Sequence, residues 1–233
     1  MIEKVIFWSN ENSGFISIVL FVLTFLIAWI SGLFKALRNN AEFKIELIDQ
    51  CSFCCVFDLN QTYQNLPVHK TAFVVYLKIT NIGRASSSLG KIKLGYLKSD
   101  FTHRLFSKRN WVKELIAKED FKASFTDSEI IKVYPFLKQR NQLYANDSDT
   151  FLQVGKQING IAYFEENEAF GSWMPRQNEN TKTTNVKIVI YDAFGKTHSK
   201  NFDLKFIEPA EAFKHNNYFG QTLKEYFKDK PIG

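Results

Sequence analysis

The sequence predicts a mainly β protein, an antiparallel sandwich carried on one N-terminal membrane-spanning helix. Three observations carry that prediction. Residues 15–34 run without a charge or a proline, the only segment of that length to do so. Six segments between 43 and 207 then show strand patterning, separated by polar turns. No long helical period separates those strands, as crossovers in a parallel sheet would require.

The first element is the span. Twenty residues at about 1.5 Å of rise cover roughly 30 Å, the hydrocarbon thickness of a bilayer. Fourteen of the twenty are Phe, Ile, Leu or Val, which together favour insertion by about 4 to 8 kcal/mol. Ser17, Thr24, Ser31 and Gly32 offset part of this. A cleaved signal would have a basic n-region and a shorter apolar core ending at a small-x-small site. Here residues 1–14 form a short tail holding Glu3, Lys4 and Glu11, and the apolar run leads into a basic juxtamembrane linker, 35–42, with Lys35 and Arg38. Positive charge within about 15 to 20 residues of each end sets orientation. Lys35, Arg38 and Lys44 outnumber Lys4 and the terminal amine, so the domain is expected on the cytoplasmic side. Cys51, Cys54 and Cys55, an odd number within five residues, suit a reducing compartment better than a disulfide framework. Abundant Lys, Asn, Ile and Phe match A+T-rich codons and point to a bacterium, hence to its inner membrane.

Within the domain, 43–207, the strands are expected at Phe43–Leu47, Ala72–Thr80, Lys91–Leu97, Gln157–Glu165, Asn185–Tyr191 and Asn201–Ile207. Turns such as Asn81-Ile82-Gly83-Arg84 and Ala193-Phe194-Gly195-Lys196 punctuate them. An insertion at about 99–153 is too long for a simple connection. It is predicted to be helical, with Asn110 capping a short helix whose apolar face is Trp111, Val112, Leu115 and Ile116. Residues 208–233 are predicted as a C-terminal helical tail, Pro209 standing in its first turn and Phe219, Leu223, Tyr226 and Phe227 forming a stripe.

The Leu-Lys-Ile-Thr-Asn-Ile-Gly run at 77–83, Val154 to Phe164, and the Val-Lys-Ile-Val-Ile-Tyr-Asp-Ala-Phe-Gly run at 186–195 resemble hairpins of immunoglobulin-like sandwich domains. With the N-terminal span, the chain is similar to single-span bacterial membrane proteins that carry such domains. The Cys, Trp, Cys spacing of antibody-type domains is absent, so the resemblance implies the general architecture and no functional residue.

Chemistry-bearing motifs are sparse. The three cysteines with His69 lack the two spaced pairs of structural zinc, because adjacent Cys54 and Cys55 alternate to opposite faces if extended. His69, His103, His198 and His215 are scattered, and there is no nucleophile elbow, phosphate loop or dinucleotide fingerprint. Glu165, Glu166 and Glu168 are read as a solvated turn rather than an acid/base pair. No catalytic residue, metal or cofactor is expected.

Two binding surfaces remain. Between Lys98 and Lys122, basic and aromatic residues interleave, and Arg104, Lys108, Arg109 and Trp111 are candidates for anionic lipid or nucleic acid, lipid being preferred beside a span. The loop Gly171-Ser172-Trp173-Met174-Pro175-Arg176 offers Trp173, Met174 and Arg176 as anchors for a protein partner, unless Trp173 closes over the core. A charge of +6 for the chain, with 27 basic against 22 acidic residues beyond the anchor, is an ordinary solubility charge. The expected function is a membrane-anchored binding or scaffolding module, holding a protein partner or a second copy of itself at the bilayer. A ligand-responsive membrane sensor or effector, for instance in bacterial defence, is the alternative, and an enzyme without a sequence motif the third.

Overall fold

A computed structural model describes residues 2–33, 39–99, 109–117, 119–125, 129–136, 150–171 and 173–221. The chain divides into two compact units, Met1–Asn40 and Ala41–Gly233.

In the first unit, α1 (Ile2–Glu11) and α2 (Ser13–Ile30) are separated by a turn at Asn12, so the segment expected to be a tail is largely helical. The helix is α2, which carries no charge and no residue buried in the protein. A core helix of a folded domain would bury one face, and α2 buries none. Its hydroxyls are satisfied within the helix: Ser17 donates to the Ser13 carbonyl at 2.8 Å and Thr24 to that of Leu20 at 2.7 Å. Lipid would impose that requirement on a helix crossing it, because it offers no partner to a polar group. The helix ends earlier than residue 34. Gly32 adopts φ +73° and the Ser31 hydroxyl turns back to the Ala28 carbonyl at 3.1 Å, a left-handed stop that glycine adopts without steric cost. One N-terminal helix is therefore long and apolar enough to cross a membrane.

In the second unit, strands β1 (Phe43–Leu47), β2 (Phe53–Tyr63), β3 (Leu66–Asn81), β4 (Ser87–Tyr96), β5 (Asn110–Lys113), β6 (Phe121–Ser124), β7 (Ile130–Val133), β8 (Phe151–Leu152), β9 (Gln157–Phe170), β10 (Thr183–Asp192) and β11 (Thr197–Phe206) precede a short helix, α3 (Pro209–His215). The main sheet orders them β1-β3-β2-β11-β10-β4-β5, with β9 on the other edge of β3, β8 on β4, and β6 paired with β7 apart from it. Among the described residues every pairing between these strands is antiparallel except the short contact of Lys205 and Phe206 with Phe53 and Cys54, and an isolated parallel bridge joins Pro135 to Ile161.

Burial follows the two-residue period of the strands. Phe73, Val75, Leu77 and Ile79 of β3, with Ala162 and Phe164 of β9, meet Ile92, Leu94 and Tyr96 of β4 and Val186, Ile188 and Ile190 of β10 in the first core. The intervening residues Ala72, Val74 and Tyr76, with Ile161 and Tyr163, face a second core. The β6–β7 hairpin, Ala212 of α3 and Phe219 close this second core. Strand β3 is thus covered on both faces, which is why Ala72 to Leu77 reads as an almost unbroken apolar run.

The insertion differs from its prediction. The segment Asn110–Lys113 is strand β5, not a capped helix, because Val112 packs inward opposite Leu94 while Trp111 and Lys113 face out. Other described residues of the insertion form β6, β7 and β8. Strand β2 was not anticipated either; Cys54 enters the first core and Cys55 and Cys51 the second. At the C-terminus Pro209 opens α3 as expected, but Phe219 lies past its end, and Leu223, Tyr226 and Phe227 fall outside the described residues.

The turn between β10 and β11 fixes the start of β1. His198 accepts the Phe43 N–H on Nδ1 at 3.1 Å and sets Nε2 3.3 Å from the Asp192 carboxylate. Lys196 donates to the Ala41 carbonyl at 3.1 Å, and the Asn81 side chain accepts from the Glu42 N–H at 3.3 Å. The first residues of the domain are therefore held by three side chains, one of them steadied by Asp192, rather than left to fray.

Candidate functional site

The loop that follows β9 turns at Gly171, whose φ of +60° suits glycine. It then runs beside the segment following β4. The Ser99 N–H donates to the Met174 carbonyl at 2.9 Å, Pro175 bridges to Lys98, and the Arg176 N–H donates to the Leu97 carbonyl at 2.8 Å. Three backbone contacts in sequence make this a fixed presentation rather than a free tip. On it Trp173 is 46% and Met174 38% exposed. The Lys98 ammonium stands 2.9 Å from the Trp173 ring centroid, a cation–π arrangement that orients the indole on the surface. A residue half in water does not seal a core, so the lid alternative for Trp173 fails on burial. Arg176 is exposed beside it.

The basic candidates divide differently. Arg104 and Lys108 lie outside the described residues. Arg109 is spent on structure: its guanidinium donates to the Gly95 carbonyl at 3.1 Å, the Asn185 carbonyl at 3.4 Å and the Asn185 side-chain oxygen at 2.8 Å. It staples β5 to β4 and β10, and partial burial lowers its pKa from the usual guanidinium value. Trp111 is 46% exposed and lies flat over Gly95, where a Cβ would come within 2.9 Å of its ring. Any side chain at position 95 would lift the indole.

Glu165 and Glu166 correct the solvated-turn reading. Both lie inside β9, and successive residues of a strand point to opposite faces. Glu165, on the second core, pairs with Lys70 at 2.9 Å and accepts a hydrogen bond from the Tyr163 hydroxyl. Lys70 also donates to the Gly220 carbonyl at 2.6 Å, and the Gly220 N–H donates to the Tyr163 hydroxyl at 3.1 Å. This buried network fastens the C-terminal segment over the sheet. Glu166, on the other face, accepts from the Asn110 side chain at 2.6 Å, and that amide also donates to the Tyr96 hydroxyl at 2.9 Å. Burial pushes the Glu166 carboxyl up to about 7. The Glu168 side chain is not among those described.

The cysteines are three buried free thiols, with burial raising Cys51 and Cys55 to about 12 and Cys54 well above its ordinary value. A thiolate is the reactive form, so these groups are packing elements. Among the described residues no three His, Cys, Asp or Glu side chains gather at metal-binding spacing.

No family model matches the chain, and no curated protein matches it. A solved structure described as "X-ray structure of Northeast Structural Genomics Consortium target SoR45" is similar at 12% identity, over 71% of this chain and 85% of that one, with a TM-score of 0.21. A likeness at that level carries no argument about fold or function.

Proposed function

We propose that this chain is a membrane-anchored binding module. An immunoglobulin-like sandwich on a single span engages a protein partner, or a second copy of itself, through Trp173, Met174 and Arg176. The strand order supports the architecture. Strands β3 and β9 pair in one layer, flanked by β1 and β2, while β5-β4-β10-β11 form the other, and the inner faces of the two meet in the first core as in a sandwich. The charge bias of Lys35, Arg38 and Lys44 and the three reduced thiols support a cytoplasmic domain on a bacterial inner membrane.

The observation that carries the binding role is the Trp173–Met174 pair, large and apolar, half exposed on a backbone already fixed at three points. An anchor on a rigid frame loses little conformational entropy on binding. Trp173→Ala is therefore expected to weaken partner capture by about 2 kcal/mol or more, while thermal stability falls by less than about 1 kcal/mol. Capture from detergent extracts, run beside thermal melts of the same protein, reads both. A large loss of melting temperature with capture unchanged would remove this loop from the binding surface.

A further inference from the structure

The layer β5-β4-β10-β11 buries one face in the first core, and on its other face, among the described residues, Lys91, Trp111 and Lys113 are exposed and Lys93 and Lys187 half-buried. Leu94, Tyr96, Val112, Val186 and Ile188 point inward, so their neighbours Lys93, Gly95, Trp111, Lys113 and Lys187 point outward. Strand register sets these outward residues side by side. Lys93 lies directly opposite Lys113, and Gly95 lies between Trp111 and Lys187. Lys91 stands one pleat further along β4 and is exposed. Among the described residues, none of Lys91, Lys93, Lys113 and Lys187 has a carboxylate within ion-pair distance. The acidic residue on this face, Asp203, is held by the Asn185 amide at 2.9 Å.

A like-charge pair directly across two strands destabilises a sheet. Among the described residues the Lys93–Lys113 pair is relieved only by the Tyr191 ring, 5.3 Å from the Lys93 ammonium. An external anion would convert that repulsion into attraction. The layout fits a plane of negative charge better than a nucleic-acid strand. The lysines are spread over a sheet surface and present point charges without an Arg fork, since Arg109 is used inside the fold. One half-exposed Trp sits at the edge, as indoles do at headgroup level, whereas single-stranded nucleic acid calls for successive stacking platforms in a groove. The linker between Ile30 and Ala41 spans at most about 36 Å, so an anchored domain never leaves reach of the bilayer.

We infer that this lysine face, Lys91, Lys93, Lys113 and Lys187 with Trp111, docks on a bilayer surface rich in anionic headgroups. The inference rests on reading α2 as the span. Docking lays the β5-β4-β10-β11 layer against the headgroups. Each lysine near such a surface strengthens the contact about fivefold, and removing three weakens it on the order of a hundredfold, less as salt rises.

The test uses the full chain with Ser199→Cys, an exposed position opposite Val189 on the same face. The native thiols are buried, so a maleimide dye goes to the new one. The labelled chain is reconstituted into vesicles of phosphatidylcholine, with or without about one third phosphatidylserine, carrying a headgroup acceptor dye. Energy transfer should be higher with phosphatidylserine, fall with added salt, and drop to the phosphatidylcholine level in K93Q/K113Q/K187Q. It should persist in a charge-matched control, K122Q/K200Q/K214Q. Equal transfer in both lipids, equal loss in the control, or a dye response to an added oligonucleotide instead of lipid would overturn the proposal. Flotation with the vesicles reports the span separately, so failure of the anchor and failure of the face are distinguishable.

Discussion

Lys70→Met is expected to destabilise the domain by about 3 to 5 kcal/mol. The ammonium is nearly buried and the Glu165 side chain wholly so, and removing the cation strands a carboxylate in a low-dielectric interior. The change also leaves the Gly220 carbonyl without its 2.6 Å donor. Adding Glu165→Gln removes the orphaned charge while keeping an oxygen to accept from Tyr163. The double variant should therefore recover more than half of the loss, a non-additivity of the kind that contacting groups show. Thermal melts of the full chain in detergent micelles measure it. Equal losses in single and double variants would mean that Lys70 acts through packing alone.

The second large effect is a fall in stability as pH rises. Folding raises the Glu166 carboxyl from 4.5 to about 7 through burial, so between those values the folded chain keeps a proton that the unfolded chain has shed. This group's contribution to stability is fullest below about 4.5, declines across the window, and levels off above 7. At about 1.4 kcal/mol per pKa unit, discounted because the carboxyl is only partly buried, the decline is about 2 to 3 kcal/mol. Glu166→Gln holds the neutral form and still accepts from Asn110, so it should flatten this part of the profile. Denaturant melts at pH 5, 6, 7 and 8 compare the two chains. An unchanged slope in the variant would assign the decline to other groups.

Both effects come from residues that local sequence could not interpret. Glu165 and Glu166 look like a polar turn because their partners, Lys70 and Asn110, lie far away in the chain and meet them only when β3, β5 and β9 assemble. Arg109 looks like an anion site for the same reason, its guanidinium being committed to Gly95 and Asn185. Elements with strong internal patterning were legible. The uninterrupted apolar run of α2 needs no tertiary context, and β1, β4, β10 and β11 declare themselves by alternation. Strand β2 was missed because Phe53-Cys54-Cys55-Val56-Phe57 is buried on alternate faces by two separate cores and shows no polar side. Strand β5 was misread because four residues are too few to separate a strand period from a helical one, and Asn110 imitates a cap. Of the candidate site, Trp173 and its neighbours were visible as unusual loop residues, but their fixed backbone was not.

Everything proposed for this chain depends on α2 being embedded in lipid. Alkaline carbonate extraction of membranes from expressing cells tests that most directly, because it strips peripheral proteins and leaves spanning ones in the pellet. The account predicts the intact chain in the pellet, and a variant with Leu23 and Leu26 replaced by Arg in the supernatant, since each mid-span charge costs about 2.5 to 3.5 kcal/mol of insertion. Release of the intact wild-type chain into the supernatant would contradict it.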